Sequence, residues 1–184
     1  QARINQIETS LKELSRLSEK LLQLAKAEGG GLLSEAPQDL AVLLAYVVQD
    51  LQRGTNISVD LTLPTAQVFS LIDADAFAVL VRNLIENALK HGMPGCDIRV
   101  DLSSDACLTV ANAGDVVPAA DLQQLTRRFT RGGSRAEGFG LGLAIVSAIA
   151  DGVGAKLTLA SPATNRSDGF EVSVQFVLAH SKPV

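Results

Sequence analysis

An α+β domain, a two-layer α/β sandwich preceded by one long amphipathic helix, is the fold that three features of the sequence predict. The first 28 residues hold a helical period with no breaker. Beyond them helical and strand-like segments alternate in the order αββαββαββ, and the spacing of the later strands suits hairpins. Such an order, with helices that must share one face of a sheet, argues against a doubly wound parallel sheet.

In the opening segment Ile4, Ile7, Leu11, Leu14, Ser18, Leu21 and Ala25 recur at alternating steps of three and four among charged residues, which is a heptad seam. Leu17, Leu22 and Leu24 widen the stripe beyond a two-stranded seam, so the expectation is self-association in a four-helix bundle. The competing arrangement lays the helix on its own domain. Gly29-Gly30-Gly31 ends it, and residues 29–38, with Pro37, read as a linker and hinge. The compact domain is expected over 39–184. Asp39 is placed to cap a helix from Leu40 to Arg53. Ile57 to Leu63 alternates strictly and Val68 to Ile72 makes a second strand, after which Asp73 or Asp75 opens a helix to His91. Asp97 to Leu102 and Cys107 to Ala111 form a hairpin. A polar stretch from Asp115 to Gly138, a helix from Leu141 to Asp151, and strands Ala155 to Ala160 and Gly169 to Leu178 complete the order.

Composition narrows the function. The 184 residues are 47% apolar and 4% aromatic without Trp, so the core must be aliphatic. The longest apolar run, Leu40 to Val48, falls short of the ~20 residues of a spanning helix, and the chain is expected to be soluble. A net charge of −4 leaves no electrostatic footprint for nucleic acid or an anionic membrane. Cys96 and Cys107 form no CxxC and lie near no histidine cluster, which supports neither a disulfide framework nor a zinc site and suits a reducing compartment.

Three constellations carry chemistry. On the helix ending at His91, Asn83, Asn87 and either Lys90 or His91 share one face, while Leu80, Leu84, Ala88, and with them Ile85 and Leu89, can turn to the sheet. Two amides a turn apart weaken a helix unless each finds a partner; an amide oxygen suits Mg²⁺ and Lys90 suits a phosphate, although ordinary exposed asparagines would read the same. Gly138-Phe-Gly140-Leu-Gly142-Leu143 stands where a helix begins, so glycine backbone and unpaired N–H groups can face an anion. Its GxGxG spacing, with no strand before it and no GK[ST] after it, fits neither a dinucleotide turn nor a P-loop. Val110-Ala-Asn112-Ala-Gly114 ends a strand with a carboxamide that can pair with an adenine edge, or simply form a turn.

Taken together and in this order, these motifs resemble those of the ATP-binding catalytic domain of bacterial sensor histidine kinases, in the GHKL superfamily with gyrase, Hsp90 and MutL, from about Leu40 onward. Asn83-x-x-x-Asn87 resembles the N box, Val110 to Gly114 the first glycine box, Arg128-Phe129-Thr-Arg131 the F box, and Gly138 to Leu143 the second glycine box. The resemblance implies the Bergerat fold, a mixed sheet covered on one side by three helices. It implies ATP and Mg²⁺ as cofactors, with Asn87 holding the metal, Asn83, Lys90 and His91 at the metal shell or phosphates, and Asn112 and Gly114 at the adenine. Phe139, Gly140, Leu141, Gly142 and Leu143 would line the phosphates, Arg128 and Arg131 would meet the transferred phosphate, and Asp115 to Glu137 would form a lid. Residues 1–28 resemble the second helix of the dimerisation and phosphotransfer hairpin. Neither His91 nor His180 lies in a histidine box, so the expectation is a catalytic fragment that phosphorylates a histidine domain mostly absent from it. Further expectations are a response regulator as the next partner, a homodimer through the first helix, no nucleic acid, and a cytoplasmic position in a parent anchored in the bacterial inner membrane. Asn112 stands where the family usually has Asp, Val116 replaces a glycine and Thr126 an aromatic. The alternatives are a GHKL ATPase with water as acceptor, for which Glu86 is the nearest acid, an anti-sigma-type serine kinase, and a pseudokinase scaffold.

Overall fold

The computed structural model describes residues 2–54, 57–122, 124–126 and 140–179. Helix α1 (Ala2–Gly29) leads into strand β1 (Leu33–Asp39) and helix α2 (Leu40–Gly54). Strands β2 (Val59–Thr62) and β3 (Phe69–Ile72) precede helix α3 (Ala74–His91). The hairpin β4 (Ile98–Leu102) and β5 (Cys107–Asn112), a single turn α4 (Ala119–Leu122), helix α5 (Gly142–Gly152), and strands β6 (Lys156–Ala160) and β7 (Phe170–Gln175) follow.

The main sheet has the order β2-β4-β5-β7-β6, with β2 parallel to β4 and every other pair antiparallel. Its register sorts side chains by face. Val100, Val110, Val172 and Leu159 stand opposite one another across four strands, as do Leu102, Leu108, Val174 and Leu157 in the next apolar row. These point into the helical layer. The alternate positions Arg99, Asp101, Thr109 and Ser173 point the other way, and Thr109 and Ser173 join hydroxyls at 3.1 Å. One face packs and one face is polar, as an antiparallel-rich sheet with helices on one side requires.

Helices α2, α3 and α5 cover the apolar face. Leu40, Leu44 and Val48 of α2 recur at a four-residue step and are buried, as are Phe77, Leu80, Leu84 and Ile85 of α3 and Ile145 and Ile149 of α5. The Phe77 ring meets Phe176, just beyond β7, at 5.6 Å between centroids. Asp73 starts α3 by accepting from the Asp75 and Ala76 amides, and Asp39 accepts from the Ala41 amide at the start of α2.

Two expectations change. Residues 33–39 are a strand, not only a connection: β1 pairs antiparallel with β3, with a break in register between Leu33 and Gln38. Its sequence, LSEAPQD, lacks β-branched and aromatic residues, and Pro37 is tolerated because β1 has a neighbour on one side only. Strand β3 in turn leaves the main sheet to form this two-stranded sheet. Leu40 donates to Val68 O at 2.8 Å, and Asp73 to Leu32 O at 2.8 Å, which fastens both ends.

Helix α1 divides along its length. Leu24 and Ala27 are buried and Leu17 packs against the core, with α5 as the neighbouring helix. Leu32 seals the junction, since a Cβ on Gly152 would lie 2.5 Å from Leu32 Cδ1. Gly30 and Gly31 take φ of +90° and +76°, which lets the chain reverse between α1 and β1. Toward the N-terminus Ile4, Ile7, Leu11 and Leu14 are each more than half exposed. The arrangement that lays the helix on its own domain therefore holds for the C-terminal half, where Leu24 and Ala27 are buried. Among the described residues no helix is long and apolar enough to cross a membrane.

Candidate functional site

Helix α3 positions the site because its apolar face is committed. With Leu80, Val81, Leu84, Ile85 and Ala88 buried, Asn83 and Asn87 are held in a fixed rotation beside that face. Asn87 is half-buried and Lys90 and His91 are exposed. Leu89, expected toward the sheet, is 42% exposed and borders a hollow instead.

That hollow, of about 90 Å³, lies between the end of α3, the α3–β4 loop and the end of β5. Leu89, Gly92, Met93, Cys96, Asn112 and Ala113 are among its lining. The two elements are locked around it. Met93 N donates to Ala113 O at 2.9 Å, and the Asn112 Nδ2 donates to the same carbonyl at 3.0 Å. Asn112 is 6% exposed; one Nδ2 hydrogen goes to Ala113 O, and its Oδ1 is left to accept from a ligand. A Cβ at Gly114 would come 3.1 Å from His91 O, so the close passage of β5's exit beside α3 favours glycine there. Met93 and Gly92 were not singled out from the sequence, and Leu89 was assigned to the sheet; an apolar residue just past a helix's buried face was the available signal.

A second locus lies at the start of α5. Leu141 is its N-cap and makes no side-chain cap, and Ile145 N donates to Leu141 O at 2.9 Å as an early bond of the helix. The amides of Gly142, Leu143 and Ala144 precede that bond, so this end of α5 presents N–H groups and the positive end of the helix dipole. Gly140 has φ of +65°, a turn only glycine takes without strain. A Cβ on Gly142 would lie 3.7 Å from Asn83 Oδ1, which sets α5's first turn against the middle of α3. Arg128, Arg131 and Phe139, together with Phe129 and Gly138, lie outside the described residues.

Asn83 is 2% exposed and surrounded by protein partners. Its Oδ1 accepts from Lys20 Nζ of α1 at 2.7 Å, and its Nδ2 donates to Val79 O at 2.7 Å and Gln23 Oε1 at 3.3 Å. Lys20 also pairs with Glu86 Oε2 at 2.7 Å. Asn83 is thus at the stem helix and α5, while Asn112 is at the hollow; Asn83, Asn87 and Gly140 are not among the hollow's lining residues. Among the described residues no group of three or more His, Cys, Asp or Glu could hold a metal.

Two outcomes follow from these contacts. Lys20→Met keeps the apolar stem but leaves the buried Asn83 Oδ1 without its cation, so urea unfolding is expected to show a loss of about 1–3 kcal/mol. Glu86→Gln removes only the partly exposed ion pair, and its expected cost is about 0–1 kcal/mol. Equal losses would mean that Asn83 draws nothing from Lys20. His91 is exposed as a residue, but partial desolvation of its imidazole lowers it below the ordinary value, and the Lys90 cation adds to the effect. The folded state thus prefers neutral His91, and the stability it contributes is complete above the unfolded value of about 6.5 and lost as pH falls toward the lowered one. Unfolding followed between pH 5 and 7.5 should show a downward slope on acidification that His91→Gln flattens.

Comparison with known proteins bears on the family and the fold. Residues 72–180 match the family model described as histidine kinase-, DNA gyrase B-, and HSP90-like ATPase. The chain is 32% identical over 166 residues to the probable sensor histidine kinase TcrY of Mycobacterium tuberculosis, covering 86% of this chain and 35% of TcrY. It is 31% identical over 179 residues to the swarming motility regulation sensor protein RssA of Serratia marcescens, covering 93% of this chain and 38% of RssA. The chain thus spans little more than a third of either relative. Among solved structures, full-length ShkA in complex with AMPPNP aligns with a TM-score of 0.77 at 21% identity, over 99% of this chain and 39% of that one. The mycobacterial sensor histidine kinase MprB aligns with a TM-score of 0.64 at 24% identity, over 75% of this chain and 93% of that one. Both share the two-layer fold. With a helix carrying two amides, a carboxamide at a strand end and an uncapped glycine turn already in place, the match over residues 72–180 makes this chain a member of the histidine kinase-, DNA gyrase B- and HSP90-like ATPase family.

Proposed function

We propose that this chain is the ATP-binding catalytic part of a two-component sensor histidine kinase, which passes the γ-phosphoryl group of ATP to a histidine on a helical domain. The observation that carries the reading is the spacing of two complementary loci along one rigid helix. Asn112 borders a hollow at the end of α3 near Gly92, and the uncapped start of α5 meets α3 at Asn83. Nine residues of helix separate these points, about 13 Å at ~1.5 Å per residue. One end offers an acceptor to an exocyclic amine, the other offers backbone N–H groups to an anion, and a nucleotide has those chemistries at its two ends.

Within this reading Asn112 and Gly114 take the adenine, and Gly140, Leu141, Gly142 and Leu143 take the phosphates with Phe139 beside them. Asn87 supplies a hard amide oxygen to Mg²⁺, with Asn83, Lys90 and His91 near that shell. This amide donor would suit a hydrated Mg²⁺, which keeps waters and asks few protein ligands. When bound, Mg²⁺ neutralises phosphate oxygens. Arg128 and Arg131 are assigned to the charge of the transferred group. As the histidine nitrogen bonds to the γ-phosphorus, the bond from that phosphorus to the β–γ bridging oxygen breaks. ADP leaves and the imidazole proton passes to solvent.

The chain would act as a homodimer through the exposed Ile4, Ile7, Leu11 and Leu14, on the cytoplasmic side of a membrane-anchored parent, with a response regulator as the next acceptor. A GHKL ATPase is disfavoured because Glu86, its nearest acid, is paired with Lys20 rather than positioned for water.

Calorimetric titration with MgATP tests the reading, and a folded chain that takes up no nucleotide at millimolar concentration would contradict it. Asn87→Ala should leave ATP binding insensitive to added Mg²⁺, whereas an intact Mg²⁺ dependence would remove Asn87 from the metal. Asn112→Asp replaces a neutral acceptor by an ionised one, which raises that hydrogen bond from about 0.5–1.5 to 1.5–3 kcal/mol but gives up the donor to Ala113 O, so a net tightening of ATP of no more than a few-fold is expected. An unchanged or weakened affinity would mean that the base does not meet this side chain.

A further inference from the structure

The loop between β6 and β7, Ser161 to Gly169, contains none of the motif residues above, yet it braces the strand end that bears Asn112. Ser161 is half-buried at the loop's first position. Its Oγ accepts from Val117 N at 2.8 Å and donates to Gly169 O at 2.7 Å, so both sides of the hydroxyl are used. Gly169 N donates to Gly114 O at 2.7 Å. The segment leaving β5 is therefore held at Gly114 and again at Val117 by the two ends of one loop. Gly169 sits directly on the Asn112 backbone: with φ of +82°, a Cβ there would lie 2.2 Å from Asn112 O.

The brace is itself anchored. Thr164 donates from its amide (3.2 Å) and its hydroxyl (2.7 Å) to the buried Glu171 carboxylate, which also meets Arg99 at 3.3 Å. Ala163, 2% exposed, donates to Asp168 O at 3.0 Å. These bonds hold the middle of the loop to the outer face of the sheet, apart from the Ser161 bonds that hold the segment beside the hollow. The Asn112 carboxamide is oriented by Ala113 O, one residue from the braced Gly114. Whatever fixes the peptide path from Ala113 to Val117 also fixes the direction of Asn112 Oδ1.

We propose that Ser161 is a positioning residue for the nucleotide site: its hydroxyl holds the backbone from Gly114 to Val117 and so sets the affinity for the base without touching it. This rests on the nucleotide-binding reading above. Without the hydroxyl, the Val117 N–H and the Gly169 carbonyl both lose a partner, and the peptide carrying Ala113 O gains freedom.

The test compares Ser161→Ala, Ser161→Thr and Thr164→Val in the full chain, measuring MgATP affinity by calorimetry, stability by urea unfolding, and hydrogen exchange at the Val117 amide. Ser161→Ala should weaken ATP about three- to tenfold, the range one neutral hydrogen bond spans, and speed Val117 exchange. Ser161→Thr should restore both to near the parent values. Thr164→Val loosens the same loop at its far anchor, so it should lower stability with ATP affinity within about twofold. Ser161→Ala that binds ATP as tightly as the parent would overturn the proposal, and so would affinity losses in Ser161→Ala and Thr164→Val that merely track stability. Should Ser161→Ala fail to fold, Ser161→Cys, a similar shape with a weaker hydrogen-bonding group, replaces it, and parent-like affinity there is the overturning result. A parent chain that binds no MgATP would instead bring down the nucleotide reading itself, while parent binding with an indifferent Ser161 would bring down only the brace.

Discussion

Rotation of α3 about its own axis is the degree of freedom on which the rest of the site depends. A helix carrying amides at Asn83 and Asn87 has no intrinsic reason to aim them anywhere, and asparagine weakens a helix by competing for its backbone bonds. The burial of Phe77, Leu80, Val81, Leu84 and Ile85, each no more than 1% exposed, removes that freedom. Burying one such aliphatic side chain is worth roughly 1.5–3 kcal/mol, so turning α3 by one position would expose more apolar surface than any single polar contact could repay. The Asp73 cap fixes where the helix starts, and the bond from Met93 N to Ala113 O fixes where it stops. Between these limits the amide stripe, the hollow and the first turn of α5 are set relative to one another before any ligand arrives.

Much of this was legible because it rests on local rules. The period of α3, its Asp cap, the alternation in β2 and the β4–β5 hairpin are properties of short windows, and the structure reproduces them to within about two residues. Strand β1 was not legible, since LSEAPQD has neither strand composition nor alternation; it is extended because β3 offers it an edge, a contact made 30 or more residues away in sequence. The same distinction runs through the site. Asn112, Gly114 and the glycine turn announce themselves by type and spacing. Leu89 and Met93 do not, because an exposed apolar residue acquires meaning only when a strand end from elsewhere closes a hollow beside it. Gly169 reads as an ordinary strand boundary, and only the carbonyl of Asn112 against its Cα explains why nothing larger fits.

The stem helix shows how one sequence pattern can serve two partners. Its heptad stripe is continuous, but only the turns around Leu24 and Ala27 find the domain, while the turns around Ile4, Ile7, Leu11 and Leu14 are left facing outward. Periodicity could state that a stripe exists; the division between the two halves depends on where the three-glycine reversal returns the chain to the α5 side of the domain. A stripe of this width is therefore consistent with intramolecular packing at one end and a separate partner at the other.

The hydrogen-bonding capacity of Asn83 ties these halves together. A carboxamide has two N–H donors and two acceptor positions. Val79 O and Gln23 Oε1 take both donors, and Lys20 takes one acceptor position, so a single lone pair on Oδ1 is left. Three of the four are occupied, and two of those three by residues of α1. Any ligand that needs more than that lone pair from Asn83 must first displace Gln23 or Lys20, which means moving the stem helix from α3 or shifting its side chains along it. A buried amide left unpaired costs about 1–3 kcal/mol, so neither the stem nor a ligand can release it without the other taking its place. The seating of α1 on α3 is in this way carried largely by one side chain, at the point where the first turn of α5 also comes against α3, at Asn83 and Gly142.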